Sequence, residues 1–119
     1  MNKHEKINYL ELPSKDIAKT KEFFKEVFSW DFEDFGNEYT AFDDGTIKGG
    51  FFKSTLHCSM QNGSVLIVFY SSNLEETQNK VEKADGKIIN EIFTFPGGRR
   101  FHFSDPTGNE YAVWSDLGV

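Results

Sequence analysis

The chain has 119 residues, which is enough for a single domain with one real core. Hydrophobic residues at 38% and aromatics at 16% exclude a disordered chain, and thirteen phenylalanines supply bulky core material. Thirteen basic against nineteen acidic residues leave a net charge of −6, which argues against nucleic acid or an anionic membrane surface as a main partner.

Ile7 to Leu12 alternates in size and polarity and predicts a first strand, stopped by Pro13-Ser14-Lys15. Asp16 is placed to cap a helix running to about Phe28, with Ile17, Thr20, Phe24 and Phe28 at three- and four-residue spacing and Phe23 and Val27 widening the apolar stripe. Trp30 to Phe35 predicts a strand, Gly36-Asn37-Glu38 a turn and Tyr39 to Phe42 its partner. Asp43-Asp44-Gly45 is a second hairpin signal, leading to a strand over Ile47 to Phe52. The paired Gly49 and Gly50 in that strand point to a close approach of backbone or ligand. Ser54 to Ser64 is polar and aperiodic, and reads as a crossover.

After the crossover the pattern begins again. Val65 to Tyr70 predicts a strand, and Asn73 with Glu76 three positions on forms a capping box. Leu74, Thr77, Val81 and Ala84 make a helical stripe ended by Asp85-Gly86. Lys87 to Phe93 predicts a strand, Pro96-Gly97-Gly98 a turn, and Arg99 to Trp114 a hairpin turning at Asp105-Pro106-Thr107-Gly108-Asn109. There Asp105 can accept from the turn backbone, and Gly108 tolerates a left-handed conformation. Asp16 and Asn73, Ile17 and Leu74, Thr20 and Thr77, and Phe24 and Val81 all repeat at an offset of 57 residues. Each half reads β-α-β-β-β. A single ferredoxin-like β-α-β-β-α-β unit fits three consecutive strands per half less well.

No apolar run approaches the ~20 residues of a membrane-spanning helix, and Met1 to Lys6 lacks the apolar stretch of a signal peptide. Cys58 is the one cysteine, so no intrachain disulfide is expected, and a reducing cytoplasm is the expected location.

Two stretches carry a family resemblance. One runs from Ile7 through Pro13 and Asp16 into Phe23-Phe24-Lys25-Glu26-Val27-Phe28-Ser29-Trp30; the other runs from Gly97-Gly98 through the Asp-Pro-Thr-Gly-Asn turn to Trp114. Together they resemble the vicinal oxygen chelate superfamily, which includes glyoxalase I, bleomycin-resistance proteins and extradiol dioxygenases, over roughly residues 5–116. The resemblance implies an α+β fold of two tandem β-α-β-β-β modules, about 5–53 and about 64–116. Their mixed sheets curve around a cleft, commonly in a homodimer. It does not select a reaction, because the superfamily spans isomerases, dioxygenases, transferases and drug binders.

In metal-using members the resemblance places ligands at positions that fall here on Tyr9, Leu66 and Ala112, with a further one around Gly50 to Lys53. A divalent ion needs several nitrogen, oxygen or thiolate donors converging at about 2 Å. Leucine and alanine donate nothing, so no metal or other cofactor is expected, and metal-dependent glyoxalase I or dioxygenase activity is disfavoured.

If position 9 faces the cleft, strand alternation puts Glu11 there, and likewise Leu66, Val68 and Tyr70, then Glu110, Ala112 and Trp114. Phe101 and Phe103 should pack under a helix, which turns Arg100 and His102 towards the cleft. Glu11 and His102 are therefore candidate acid–base residues for chemistry beside a carbonyl; alternatively Glu11 pairs with Arg100 or His102 and only holds the sheet. Tyr9, Leu66, Val68, Tyr70, Arg100, Ala112 and Trp114 are candidate ligand contacts. Arg99 and Arg100 could grip a carboxylate or phosphate bidentately, or be exposed turn arginines. Three functions stay open: a metal-free binder of a small organic molecule, a metal-independent lyase or isomerase, and a protein whose cleft is filled by its own side chains.

Overall fold

A computed structural model describes residues 2–118. The elements follow in the order β1 (Tyr9–Ser14), α1 (Ile17–Phe28), β2 (Asp31–Asp34), β3 (Tyr39–Asp43), β4 (Lys48–Lys53), β5 (Ile67–Tyr70), α2 (Leu74–Lys83), β6 (Lys87–Phe95), β7 (Gly98–Ser104) and β8 (Glu110–Ser115). This is β-α-β-β-β twice. Each half builds its own four-stranded mixed sheet, ordered β1-β4-β3-β2 and β5-β8-β7-β6. In each, the first strand runs parallel to the last and the remaining pairs are antiparallel. The two sheets do not close into one.

Strand β1 continues through Pro13, which had been expected to end it; Pro13 pairs with Phe52 and Ser14 with Lys53. As an edge strand, β1 tolerates a residue with no N–H to donate. Its alternation is as the pattern requires. Tyr9 and Glu11 point to one side, while Leu10 and Leu12 point to the other and join the core.

Helix α1 lies between the sheets and joins them. Phe24 is fully buried, stacks on Trp30 at 4.3 Å and on Phe51 of β4 at 5.7 Å, and meets Tyr111 of β8 edge-on at 5.3 Å. Phe23 packs against Phe103 of β7 at 5.8 Å. The two modules therefore share one aromatic core. Helix α1 ends at Ser29, whose φ of 59° places a serine in the left-handed region; its N–H returns to the Lys25 carbonyl.

The repeat extends to hydrogen bonds. Asp16 caps α1 by accepting from the Lys19 N–H, and Asn73 caps α2 by accepting from the Glu76 N–H. The reciprocal half of the expected capping box is not made by Glu76. The Asn73 N–H donates instead to Ser71 Oγ, as Asp16 N–H donates to Ser14 Oγ, 57 residues earlier. Both serines then bond a helix threonine at 2.7 Å, Ser14 to Thr20 and Ser71 to Thr77.

From here the copies diverge. Thr77 donates to the carbonyl of Asn73 within its own module, at 3.3 Å. Thr20 reaches across to Thr107 of the β7–β8 turn through a long 3.5 Å contact. Thr107 Oγ1 in turn donates to Asp105, at 2.9 Å. The buried Asp105 carboxylate also accepts from the N–H of Thr107, the N–H of Asn109 and the hydroxyl of Tyr111. Asn109 completes the junction: its amide donates to the Pro13 carbonyl at 2.6 Å and accepts from the Cys58 N–H at 2.8 Å. One turn thus fastens β1, α1 and the crossover.

Removing a single donor from this carboxylate is expected to be costly, because buried acceptors lose their bond without regaining water. Tyr111→Phe should lower unfolding stability by about 1–3 kcal/mol in a urea titration, with no change in secondary structure. Burial, against the pull of its donors, raises the Asp105 pKa above the usual aspartate value. The folded state therefore binds this proton more readily than the unfolded state, and the Asp105 contribution weakens the fold as pH rises through that window. Urea midpoints measured from pH 4 upwards should show Asp105→Asn gaining on the parent chain as pH increases; parallel curves would contradict the assignment.

Candidate functional site

Each sheet buries one face under the helices and presents the other outward. On the outward face of the first sheet, Glu11 of β1 and Gly50 of β4 are paired, and Ala41 of β3 follows opposite Gly50. The missing side chain at Gly50 leaves room for a ring. Tyr39 lies over it, and a Cβ at position 50 would sit 2.0 Å from the Tyr39 hydroxyl.

The Tyr39 hydroxyl donates to Glu11 Oε2 at 2.9 Å and also bonds the hydroxyl of Tyr9. A phenol carries one hydrogen, so with that hydrogen on Glu11 the bond to Tyr9 must be donated by Tyr9. The order is Tyr9 to Tyr39 to Glu11. Burial, followed by these two bonds, raises the Tyr39 pKa above the usual phenol value and keeps the ring a donor. This arrangement presents acceptors outward, namely the second Glu11 oxygen and the Tyr9 lone pairs.

The outward face of the second sheet is different in kind. Ala112 lies opposite Val68 on one side and His102 on the other, and Trp114 lies opposite Tyr70 and Arg100. Phe93 follows beyond Arg100 on β6. The irregular register of β6, with shifts between Ile88 and Asn90 and between Asn90 and Phe93, does not reverse the side on which Arg100 and His102 stand. Phe101 and Phe103 are fully buried on the opposite side, as their alternation predicted. Tyr70 is 52% exposed and Val68 43%, and Tyr70 meets Trp114 edge-on at 5.3 Å.

His102 is 5% exposed, and both its ring nitrogens are engaged. Arg100 Nε and Nη2 approach Nε2 at 3.2 and 2.9 Å, and Nδ1 lies 3.0 Å from Glu110 Oε2. Arginine has no acceptor, so Nε2 must accept and Nδ1–H must donate to Glu110. The other Glu110 oxygen accepts from the Met60 N–H of the crossover, at 3.0 Å.

Glu11 and His102 stand on different sheets and share no partner. Glu11 pairs with neither Arg100 nor His102; its partner is Tyr39, which strand alternation alone did not single out. The signal for Tyr39 was Gly50, since a ring from the neighbouring strand is what the paired glycines admit. Ala112 has no exposed surface, whereas Leu66 and Trp114 are half-buried. Arg99, on the helix side, is gripped by Glu75 through two bonds of 2.6 and 3.1 Å and is not available to a ligand. A groove of about 600 Å³ runs beneath the crossover, lined by His57, Met60, Lys87, Asn90 and Ser104 among others.

The metal positions implied by the resemblance hold Tyr9, Leu66 and Ala112. No group of three or more histidine, cysteine, aspartate or glutamate side chains able to hold an ion occurs among the described residues. The donor set does not fit a divalent metal.

Comparison with known proteins agrees with this architecture. A hypothetical protein from S. aureus superposes with a TM-score of 0.74 at 17% identity, over 95% of this chain and 99% of that one. A glyoxalase/bleomycin resistance protein/dioxygenase family enzyme from Burkholderia phytofirmans gives 0.77 at 15%, over 92% and 98%. The fosfomycin resistance protein FosX from Listeria monocytogenes gives 0.77 at 15%, over 97% and 94%. At these identities the likeness speaks for the fold alone. No curated protein sequence matches the chain. Residues 6–113 match the family model, nearly the whole length, and the chain belongs to the Glyoxalase/Bleomycin resistance protein/Dioxygenase superfamily.

Proposed function

We propose that this chain binds a small organic molecule on the outward faces of its sheets, without the metal used elsewhere in the superfamily. The observation that carries this reading is the exposed apolar and aromatic surface of the second sheet. Tyr70, Val68 and Phe93 keep 52%, 43% and 41% of their surface open around Trp114 and Arg100. Apolar side chains left open on a sheet face, with a few polar groups among them, suit an organic ligand better than an ion. The position equivalents Tyr9, Leu66 and Ala112 support the same conclusion, since together they offer an ion one phenol.

A homodimer completes the site in this reading. Neither β1 nor β5 has a second neighbour in its sheet, and each outward face keeps exposed side chains, Tyr9 on the first and Val68 and Tyr70 on the second. A second copy that covered these edges would enclose a cleft between them. Sedimentation at micromolar concentration should show twice the 13.7 kDa chain mass. A solution containing only the 13.7 kDa species would reject the dimer.

A second reading is favoured by one observation, the Tyr9–Tyr39–Glu11 chain. A carboxylate with a free oxygen, backed by a phenol that remains a donor, could remove a proton beside a carbonyl. His102, the other residue expected to act, would first have to leave Arg100 and Glu110. A thermal-shift screen of small carbonyl compounds and aromatic molecules supplies the ligand that separates the readings. With that ligand, Glu11→Gln should abolish turnover at nearly unchanged melting temperature if the carboxylate takes a proton. If turnover and affinity both survive the substitution, the lyase or isomerase reading fails and the binder remains.

A further inference from the structure

Lys21, Arg99 and Arg100 are the half-buried lysines and arginines among the described residues; Lys21 pairs with Asp34 and Arg99 with Glu75, whereas no carboxylate lies within ion-pair distance of Arg100. Buried charge is ordinarily paired, as Arg99 is with Glu75. Arg100 instead lies against aromatic rings, its guanidinium carbon 5.9 Å from the centroids of both Phe93 and Phe95. A guanidinium has two edges that can make parallel donations. The Nε/Nη2 edge is taken by His102. The Nη1/Nη2 edge meets no acceptor among the described residues, and such an edge can match two oxygens of a carboxylate or phosphate. Trp114 on β8 and Phe93 on β6 flank Arg100 in the register, so aromatic residues border it on both sides.

We propose that this face takes a planar, largely apolar anion whose carboxylate or phosphate is bound by Arg100, and that His102 and Glu110 act as positioning residues. The inference rests on the reading that this face binds a small molecule, and it names the class. The order of support is Glu110 to His102 to Arg100. Glu110 accepts the Nδ1–H and so fixes the tautomer, which leaves Nε2 as the acceptor that holds the guanidinium. His102 therefore contributes orientation, not proton transfer.

The test is calorimetric titration of the full chain with matched pairs: benzoate against benzamide, and indole-3-acetate against indole-3-acetamide, with phenyl phosphate as the phosphate arm. At least one acid should bind ten-fold or more tightly than its neutral partner. Arg100→Met, which keeps most of the stem, should remove that preference, and Arg100→Lys should restore only part of it. His102→Leu should weaken acid binding several-fold, and His102→Gln, which can still accept from Arg100 and donate to Glu110, should recover it. A merely structural His102 would shift the melting temperature in both variants and leave the acid-to-amide ratio alone. Should His102→Leu not fold, the Arg100 pair and His102→Gln still decide. Equal binding of acids and amides overturns the anion inference while leaving the small-molecule reading intact. Absence of binding by every acid, or an acid preference that survives Arg100→Met, overturns it too; the broader thermal-shift screen then judges the small-molecule reading separately.

Discussion

The junction at Asp105 is the interaction on which the rest of the molecule depends. A buried carboxylate is unfavourable unless its oxygens are occupied, and here four donors converge on it, three from Thr107 and Asn109 of the turn and one from Tyr111 of β8. That demand fixes the turn, and the fixed turn places Asn109 against Pro13 and Cys58. The first strand and the crossover are thereby held to the last hairpin. Without this junction the two modules would be joined mainly by ring contacts, which are strong but less directional. The polar junction specifies how the aromatic core is assembled.

With the modules held, alternation along the strands settles what is offered outward. The first sheet offers acceptors, a carboxylate and two phenols in series. The second offers aromatic rings and a guanidinium. The difference comes from single positions: Gly50 admits a ring that could not fit above any side chain, and Arg100 finds an imidazole where an acid would have neutralised it. The same alternation protects the core. A one-residue slip of β1 would bury Glu11 beneath α1 and expose Leu10 and Leu12.

Much of this was legible in the sequence. The repeat, both helix caps, the order of elements and the side on which Glu11, Arg100 and His102 stand follow from periods of 2 and 3.6 and from turn residues. What the sequence did not reveal is partnership. Alternation says which face a side chain takes but not which neighbour it reaches, so it does not single out Tyr39 as the partner of Glu11. His102 is visible as an imidazole on the outward face, yet its two engaged nitrogens depend on the register of β7 with β8. Strand β1 runs on through Pro13 because a proline ends interior strands but is tolerated in an edge strand. At the start of α2 the Asn73 side chain caps the helix as its sequence suggests, but the Asn73 N–H goes to Ser71.

Glu110 gives the crossover a bearing on events some distance from it. One of its oxygens holds the Met60 N–H and the other holds His102, which holds Arg100. The loop, the carboxylate, the ring and the guanidinium form a linkage in which each member has little freedom apart from the next. The groove under the crossover is bounded by Met60 itself. Glu110 holds the crossover twice, through its carboxylate at the Met60 N–H and through its own N–H at the Cys58 carbonyl, 2.8 Å away. The segment that joins the two halves of the repeat is thus tied, through one carboxylate and one imidazole, to Arg100 on the outward face.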